Sequence, residues 1–334
     1  MVDLRTLLIE AKQQGKVIIA PGVFDGNSAL LLRGIYKELE GKDELDPSIY
    51  GLATFISGFL VSATNGQPDM ALNNATDLEH RLNVIRPISQ GVPIIVDIDT
   101  GFGSEAYTIL SVGKRLHSAG ANCVQIEDQA GDKTCGHMDG SLGTGKQVMD
   151  PYEFANVKVR PLADYALPGI KHLAYDFMVM ARTDSRAIHG LDDALKRARL
   201  YMDAGAEILF VEAPQDDNEL RRVGQLFGDD VSTHMLANMI EGSPKTPYHT
   251  VSELAQMGFS IVYYCIGSIF AATFGNGGME AYYRAVLQGK DPVKEGILPS
   301  DAFARFNRLI GREIAERVNA YHRSLVNAPI TSTS

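Results

Sequence analysis

The chain contains two closely similar stretches, SAGANCVQIE over Ser118–Glu127 and DAGAEILFVE over Asp203–Glu212. Each reads as the end of a helix, a glycine turn, a continuous apolar run and a glutamate where that run ends. An apolar run without alternation is typical of a strand buried on both faces, as in a parallel sheet. The two stretches therefore predict αβ units of one kind, with both glutamates at the same edge of the sheet. Convergence of αβ turns explains the likeness without a duplication.

Six further apolar runs extend this pattern along the chain. Helical patterns separate the runs, most clearly at Leu191–Ala204, which Gly205 ends. Eight such units predict the α/β class and a (β/α)8 TIM-type barrel, with an open doubly wound sheet as the alternative. The predicted strands are Val17–Ala20, Tyr50–Ile56, Pro93–Ile98, Asn122–Ile126, Phe177–Ala181, Glu207–Val211, Val231–Ala237 and Ser260–Ile266.

We expect a single barrel domain over residues 1–334, because no linker or change of composition divides the chain. A segment rich in Gly and Asp at about 129–150 is long for a loop in a compact domain, which is typical of a gating loop. A C-terminal helical segment at about 290–327 carries apolar residues every three or four positions from Phe303 to Leu325. We expect that apolar stripe to pack either on the chain's own barrel or on a neighbouring subunit.

The composition excludes several classes of protein. With 334 residues, 45% of them hydrophobic, the chain can bury a sizeable core, unlike a disordered chain. A net charge of −10 argues against nucleic acid and membrane surfaces as partners. Three cysteines suit a reducing compartment, and residues 1–16 carry charges where a signal peptide would be apolar. We therefore expect a cytoplasmic protein whose partner is a small molecule.

Polar side chains follow the predicted strands where each one ends. Asp97 and Asp99 lie at the end of the third, and their spacing predicts that both carboxylates point to the same side of that strand. Adjacent carboxylates need a shared cation or proton, and Mg²⁺ prefers such oxygen ligands. The other polar residues at strand ends are Glu127, Arg182, Glu212 and Asn238. At the carboxyl edge of a barrel, this set predicts a site for a metal ion and an anionic substrate.

The predicted gating loop contains Lys133-Thr-Cys135-Gly-His137, in which a thiol lies near two side chains that exchange protons. Cys123 and Cys265 follow apolar patterns instead, and we expect them to be buried core residues. The same loop carries Gly140–Gln147, which nearly matches a phosphate-binding loop. Because no Ser or Thr follows the lysine and no apolar strand leads into this motif, we expect no nucleotide there.

At these positions the sequence resembles the isocitrate lyase / phosphoenolpyruvate mutase superfamily. The resemblance favours its short lyase branch, which includes methylisocitrate lyase, dimethylmalate lyase and oxaloacetate hydrolase. It is carried, in family order, by PGVFD at 21–25, SG at 57–58, GQPD at 66–69, DIDTGFG at 97–103, IEDQ at 126–129, KTCGH at 133–137, ARTD at 181–184 and LANM at 236–239. Asp132 and Thr134 depart from the usual loop motif.

The resemblance implies a barrel with a C-terminal helix exchanged between subunits, a homotetramer, and Mg²⁺ as cofactor with Mn²⁺ as an alternative. The implied metal-binding residues are Asp97 and Asp99, with Asp69 and Glu127, and Glu212 close to the ion. The implied substrate-binding residues are Ser57, Gly58, Phe59, Cys135, Gly136, Arg182 and Asn238. The implied catalytic residues are Cys135, Arg182, Glu212 and His137, with Cys135 as the acid that protonates the departing enolate.

The resemblance also implies a carbon–carbon lyase that cleaves a 2-hydroxy di- or tricarboxylate, such as a methylisocitrate- or dimethylmalate-like acid. The products would be a 2-oxo acid and a second carboxylate. The alternatives are an oxaloacetate hydrolase, a phosphonopyruvate or PEP mutase-type enzyme, and a non-catalytic metabolite-binding relative; Cys135 favours the lyase over the mutase. Tricarboxylate-cleaving members tend to carry Arg where this chain has Phe270. We therefore expect a dicarboxylate substrate, or one with an alkyl tail.

Overall fold

The computed structural model describes residues 3–131, 133, 135–137, 146–166, 176–228, 230–324 and 326. Several predicted features lie outside these described residues: Asp132, Thr134, the Gly140–Gly145 part of the phosphate-loop-like motif, and Leu325 at the end of the apolar stripe. Of the helices that are described, none is long and apolar enough to cross a membrane.

Nine parallel strands form one sheet in the order β2-β1-β11-β10-β9-β8-β5-β4-β3, and β6 and β7 form a separate antiparallel pair. The strands are β1 Val17–Pro21, β2 Ile49–Leu52, β3 Thr54–Ile56, β4 Ile94–Asp97, β5 Cys123–Glu127, β6 Gln129–Ala130, β7 Gln147–Val148, β8 Met178–Thr183, β9 Ile208–Val211, β10 His234–Met239 and β11 Ile261–Tyr264.

The two edges of the long sheet meet at Ala53, so that the sheet closes. Ala53 alone separates β2 from β3; β2 pairs with β1, whereas β3 pairs with β4. The Ala53 N–H donates to Ile19 at 2.9 Å, and a bridge joins Gly22 to Phe55. Because β2 and β3 act as one bent strand, the sheet is an eight-stranded barrel. The predicted barrel is confirmed over the open sheet.

Helices follow most strands and cover the barrel, and a short π-helix at Phe154–Val159 joins α6 to α7. The helices are α1 Leu4–Gln13, α2 Gly26–Gly41, α3 Gly58–Thr64, α4 Ala75–Ser89, α5 Ala106–Ala119, α6 Pro151–Glu153, α7 Arg160–Ala166, α8 Arg186–His189, α9 Leu191–Asp203, α10 Asp217–Gly224, α11 Val251–Gln256, α12 Gly267–Phe274, α13 Gly278–Leu287, α14 Ala302–Leu309 and α15 Arg312–Ser324.

All eight predicted runs contain strands, and the seventh begins later than predicted. Residues 231–233 form a turn before β10, because the Asp230 carboxylate accepts hydrogen bonds from the Ser232 N–H at 3.0 Å and from the Thr233 hydroxyl at 2.7 Å. An aspartate that binds its own following backbone favours a turn over a strand. Because Val231 is apolar, the predicted seventh strand starts at Val231, whereas β10 starts at His234.

The predicted C-terminal helical segment is divided into α14 and α15 at Gly311, whose φ of 76° a side chain would disfavour. Phe303 and Phe306 on α14 are buried against the barrel. Ile314 and Val318 on α15 are 69% and 51% exposed. The apolar stripe thus packs on the chain's own barrel in its first half and is exposed in its second.

Candidate active site

Strand register builds the site at the carboxyl edge of the barrel. β5 and β8 pair with Glu127 opposite Arg182, and Arg182 Nε lies 3.2 Å from Glu127 Oε2. On the other side of β8, β9 ends at Val211, so Glu212 follows directly, and its Oε1 lies 3.6 Å from Arg182 Nη2. One buried arginine therefore lies between carboxylates from two neighbouring strands.

A turn, rather than strand alternation, brings Asp97 and Asp99 together. β4 ends at Asp97, and Asp99 lies in the following turn with a left-handed φ of 50°. There its N–H donates to Asp97 Oδ1 at 3.0 Å. Both carboxylates face Gly58, whose N–H lies 3.3 Å from Asp97 Oδ2 and where a Cβ would lie 2.8 Å from Asp99 Oδ1. Only glycine leaves room for this approach.

Lys133 of the gating loop is buried among the acids, with 3% of its side chain exposed. Its Nζ donates to Asp69 Oδ1 at 2.8 Å and also to Asp99 Oδ1. Asp97 and Glu127 lie near enough to act on the same ammonium. Burial, together with Asp97 and Asp69, raises the pKa of Asp99 to about 7 against the opposing effect of Lys133. One lysine thus balances only part of the charge of four carboxylates.

A buried network behind the cavity fixes the orientation of Arg182. The Asp184 carboxylate accepts hydrogen bonds from Arg182 Nε at 2.8 Å and from Nη2 at 3.0 Å. Asp128 in turn accepts from the Asp184 N–H at 2.9 Å, from the Tyr201 hydroxyl at 2.7 Å and from Arg197 at 3.2 Å. A guanidinium held in one plane suits recognition of a substrate carboxylate.

The described part of the gating loop packs on the barrel rim. Cys135 is 7% exposed, and Gly136 lies so close to Glu212 that a Cβ would meet Oε1 at 1.8 Å. Lys146 Nζ donates to the Gly136 carbonyl at 2.6 Å and to Asp184 Oδ1 at 3.2 Å. The lysine of the phosphate-loop-like motif therefore ties the loop to the barrel.

His137 contacts Glu212 without lining the cavity. Its Nε2 lies 3.6 Å from Glu212 Oε1, and its Nδ1 lies 2.8 Å from the Ser243 hydroxyl. Burial and the positive charges of Arg182 and Lys146 lower the pKa of His137 to about 3. The imidazole is therefore neutral at pH 7, and its contacts suit the orientation of Glu212 rather than proton transfer to a substrate.

The cavity brings together most of the predicted site. The predicted residues that line it are Ser57, Phe59, Asp69, Asp97, Cys135, Gly136, Arg182, Glu212 and Asn238. The predicted residues that are buried just outside this lining are Gly58, Asp99, Glu127 and His137. The lining residues that sequence reasoning did not assign to the site are Phe55, Gln125, Lys133, Phe210, Ile240, Tyr263, Cys265 and Ile266.

The positions of Cys265 and Phe270 bear on two predictions. Cys265 is buried, as predicted for a core residue, and it lines the cavity as well. Phe270, whose apolar side chain led us to expect a dicarboxylate, is fully buried, with its ring 6.3 Å from that of Phe59. Of the described residues, Phe59, Ile240 and Ile266 add apolar surface to the lining, beside the rings of Phe55, Phe210 and Tyr263. Phe270 therefore lies outside the described lining and packs on Phe59, which belongs to it.

The Cys135 thiol is protonated at neutral pH. Burial, with the Asp69 and Glu212 carboxylates nearby, raises its pKa to about 11. A thiolate is the reactive form of a cysteine nucleophile, whereas a protonated thiol is suited to give up a proton. Burial also raises the pKa of Glu212. The Cys135 thiol can therefore hold a proton inside the cavity.

The acid cluster fits a divalent cation in its chemistry. Neither Glu127 oxygen takes part in a hydrogen bond, and Asp69, Asp97 and Asp99 add carboxylate oxygens of the kind that Mg²⁺ prefers. Within the described ranges, no three acidic, His or Cys side chains are already arranged to hold a metal ion. Lys133 lies between Asp69 and Asp99. The donors therefore fit the ion provided that Lys133 moves away from Asp99.

Comparisons with known proteins extend over nearly the whole chain. Residues 8–282 match a family described as phosphoenolpyruvate phosphomutase. The chain is 33% identical over 300 residues to 2,3-dimethylmalate lyase of Eubacterium barkeri, which covers 89% of this chain and 91% of that one. It is also 33% identical to chloroplastic carboxyvinyl-carboxyphosphonate phosphorylmutase of Arabidopsis thaliana, over 97% and 86% of the two chains.

One solved structure shows the same architecture. A crystal structure of 2,3-dimethylmalate lyase matches with a TM-score of 0.65 at 26% identity, over 99% of this chain and 100% of that one. The likeness therefore extends over nearly the whole chain.

Proposed function

This chain belongs to the phosphoenolpyruvate phosphomutase family. From the chemistry of its relatives, we propose that it is a magnesium-dependent carbon–carbon lyase. The substrate is a 2-hydroxy carboxylic acid, and the products are a 2-oxo acid and a second carboxylate. The observation that carries this proposal is the buried, protonated Cys135 thiol, which lines the same cavity as Arg182 and the acid cluster. A mutase has no departing carbon that needs this proton.

The cleavage moves two protons and two electron pairs. The substrate hydroxyl gives its proton to a carboxylate of the cavity, for which Glu212 is the candidate, and the electron pair of the broken O–H bond forms the new carbonyl group. The electron pair of the broken carbon–carbon bond leaves on the second product as an enolate, and the Cys135 thiol protonates its carbon. The proton taken up by the carboxylate then returns to the Cys135 thiolate, which restores both groups. Arg182 and Asn238 bind carboxylate oxygens and stabilise the negative charge as it develops.

The metal-binding residues of the proposal are Asp97 and Asp99, assisted by Asp69 and Glu127. When bound, Mg²⁺ would lower the energy of negative charge on the substrate oxygens. Gly58 supports this role because it lets the backbone approach both carboxylates, with its N–H 3.3 Å from Asp97 Oδ2. To leave room for the ion, Lys133 would give up its contact with Asp99 and keep the one it already makes with Asp69.

The cavity favours a dicarboxylate that carries an alkyl group. Of the described residues that line it, the cations are Lys133 and Arg182, and both are already paired with acids. No further cation is therefore ready for a third substrate carboxylate. Phe59, Ile240 and Ile266 offer apolar surface instead, which an alkyl substituent covers at about 25 cal/mol per Å². This supports a 2,3-dimethylmalate-like substrate.

The test is an assay of 2-oxo acid release with and without Mg²⁺. The substrates are 2,3-dimethylmalate, methylisocitrate and isocitrate, with loss of oxaloacetate and of phosphonopyruvate followed separately. The variant is Cys135→Ser, and Cys123→Ala, in the barrel core, is the matched control. We expect 2,3-dimethylmalate to be cleaved best. Because a general acid contributes about 10²–10⁴-fold, Cys135→Ser should lower kcat by about that factor while Cys123→Ala leaves it unchanged.

Other outcomes point to other functions. Turnover of phosphonopyruvate alone, with no effect of Cys135→Ser, would replace the lyase with a mutase-type enzyme. Formation of oxalate from oxaloacetate would favour a hydrolase. Preferred cleavage of methylisocitrate or isocitrate would refute the dicarboxylate proposal. Mg²⁺ binding without turnover of any substrate would favour a non-catalytic, metabolite-binding relative.

A further inference from the structure

The C-terminal arm, defined as α14 and α15 over residues 302–324, reaches the cavity through a buried arginine. Arg312 begins α15, and of the described residues of that helix it is the buried one, at 4% exposed. Its Nη1 donates to the backbone carbonyl of Asp69 at 3.3 Å, and its Nε donates to Glu316 Oε1 at 2.5 Å. The arm is thus bonded directly to a residue that lines the cavity.

Burial of a guanidinium lowers the stability of the fold unless an opposite charge and hydrogen-bond acceptors lie next to it. Glu316, four residues later on the same helix, supplies the opposite charge, with 15% of its side chain exposed. Because the guanidinium of Arg312 is planar, pairing of its Nε with Glu316 fixes the direction in which its Nη1–H points. A flexible lysine ammonium would not fix that direction. The bond to Asp69 is therefore directional.

Asp69 connects this bond to the catalytic cavity. Its carboxylate accepts from Lys133 at 2.8 Å, while its carbonyl accepts from Arg312. It lies in the loop between α3 and α4, where Ala71 has a left-handed φ of 56°. Such a backbone conformation is unfavourable for alanine, so contacts from outside the loop are needed to maintain it.

A second contact of the arm reaches the same cavity independently. Phe303 and Phe306 on α14 pack on Phe59, with ring centroids 6.4 and 6.0 Å apart. Phe59 lines the cavity and lies in α3, just before the loop that contains Asp69. The arm therefore supports both ends of the segment from Phe59 to Asp69.

We infer that Arg312 is a positioning residue: through the Asp69 carbonyl it holds the Asp69 carboxylate in the place where it meets Lys133 and the cavity. The inference rests on the proposed function in one respect, namely that Asp69 belongs to the catalytic site. The C-terminal arm then helps to position a residue of the active site, although its helices lie outside the barrel.

The experiment compares Arg312→Ala, Arg312→Lys and the matched control Arg317→Ala, an exposed arginine on the same helix. Hydrogen–deuterium exchange is measured on the metal-free protein, and kcat, KM and Tm are measured alongside. Loss of a hydrogen bond from a charged group should raise exchange in residues 65–74 by about tenfold or more. Because misplacement by about 1 Å costs about 10²-fold, kcat should fall by up to that factor with a smaller change in KM.

We expect Arg317→Ala to behave as the wild type and Arg312→Lys to restore part of the loss. Unchanged exchange in residues 65–74 of Arg312→Ala would overturn the inference. So would faster exchange across the whole barrel with a large fall in Tm, since that pattern means a general loss of stability. The exchange measurement needs neither metal nor substrate, so it decides the role of Arg312 even if the proposed lyase activity is absent.

Discussion

Glu241 is a carboxylic acid enclosed by the protein two residues beyond β10. It is fully buried, and its Oε1 accepts a hydrogen bond from the Tyr282 hydroxyl at 2.5 Å. Burial raises its pKa from 4.5 to about 7. Because the folded state holds this proton more tightly than the unfolded state, the contribution of Glu241 to the free energy of unfolding should decrease as pH rises from about 4.5 to about 7 and then stay constant.

Replacement of Glu241 by Gln removes this dependence while keeping an oxygen for Tyr282. We expect Glu241→Gln to gain about 3 kcal/mol relative to the wild type between pH 4 and pH 8, from a pKa difference of about 2.5. The measurement is urea unfolding at both pH values, with the exposed Glu313→Gln as the control. A difference between Glu241→Gln and the wild type that does not change with pH would contradict this prediction.

Single residues also show where sequence reasoning stops. Cys135, Arg182 and Glu212 were recognisable because their chemistry is unusual beside apolar strands, and all three line the cavity. Ile240 and Ile266 line it too, but in the sequence they look like any other core residue. The loop motif drew attention to Lys133. Its contact with Asp99 could not be predicted, because that contact depends on how the loop packs on the barrel.

Gly136 of the gating loop packs tightly on the barrel rim, where a Cβ would lie 1.8 Å from Glu212 Oε1 and 2.3 Å from its Cδ. Gly136→Ala should therefore prevent the loop from packing on the rim. We expect kcat to fall by about 10²-fold with Tm close to the wild-type value, because the loop adds little to the barrel core. Steady-state kinetics and thermal unfolding test this.

Gly34→Ala serves as the control for that change, because a Cβ at Gly34 in α2 meets nothing within 4 Å. It should keep full activity. If Gly136→Ala also kept full activity, the loop would not need this contact during turnover.

Elements were predictable where periodicity or a stop residue marks them. Every predicted strand exists, because a continuous apolar run followed by a polar residue is a local signal. The position of Asp99 could not be predicted from the sequence. Its left-handed backbone and its hydrogen bond to Asp97 depend on tertiary contacts. The break at Gly311 could be seen only as a glycine within a helical pattern.

For the whole molecule, we propose assembly as a homotetramer through the exposed face of α15. Phe303 and Arg312 contact the chain's own barrel, so the exchange of C-terminal helices that the resemblance implies is not part of this proposal. The proposal is supported by the exposed apolar side chains of that helix: Ile314 is 69% exposed, Val318 51% and Tyr321 62%. A stripe of this kind on an amphipathic helix is typical of an interaction surface. Since Arg312 lies on the same helix, assembly and the cavity would share one element.

The test of assembly is the mass of the particle in solution by light scattering. We expect the wild type to be a multiple of the 36.3 kDa chain, and the double variant Ile314→Glu, Val318→Glu to be smaller. Arg317→Ala, a polar change on the same helix, should not alter the mass. A wild-type mass of one chain would refute the proposal.

Closure of the barrel joins its first strand to its last, with β1 paired in parallel to β11 and Ile18 opposite Ile261. During synthesis the ribosome releases β1 first, and its partner follows only when most of the protein has been made. Until then the nascent sheet keeps an open edge that other chains can join. The yield of folded protein in a cell therefore depends on how that edge is shielded during translation.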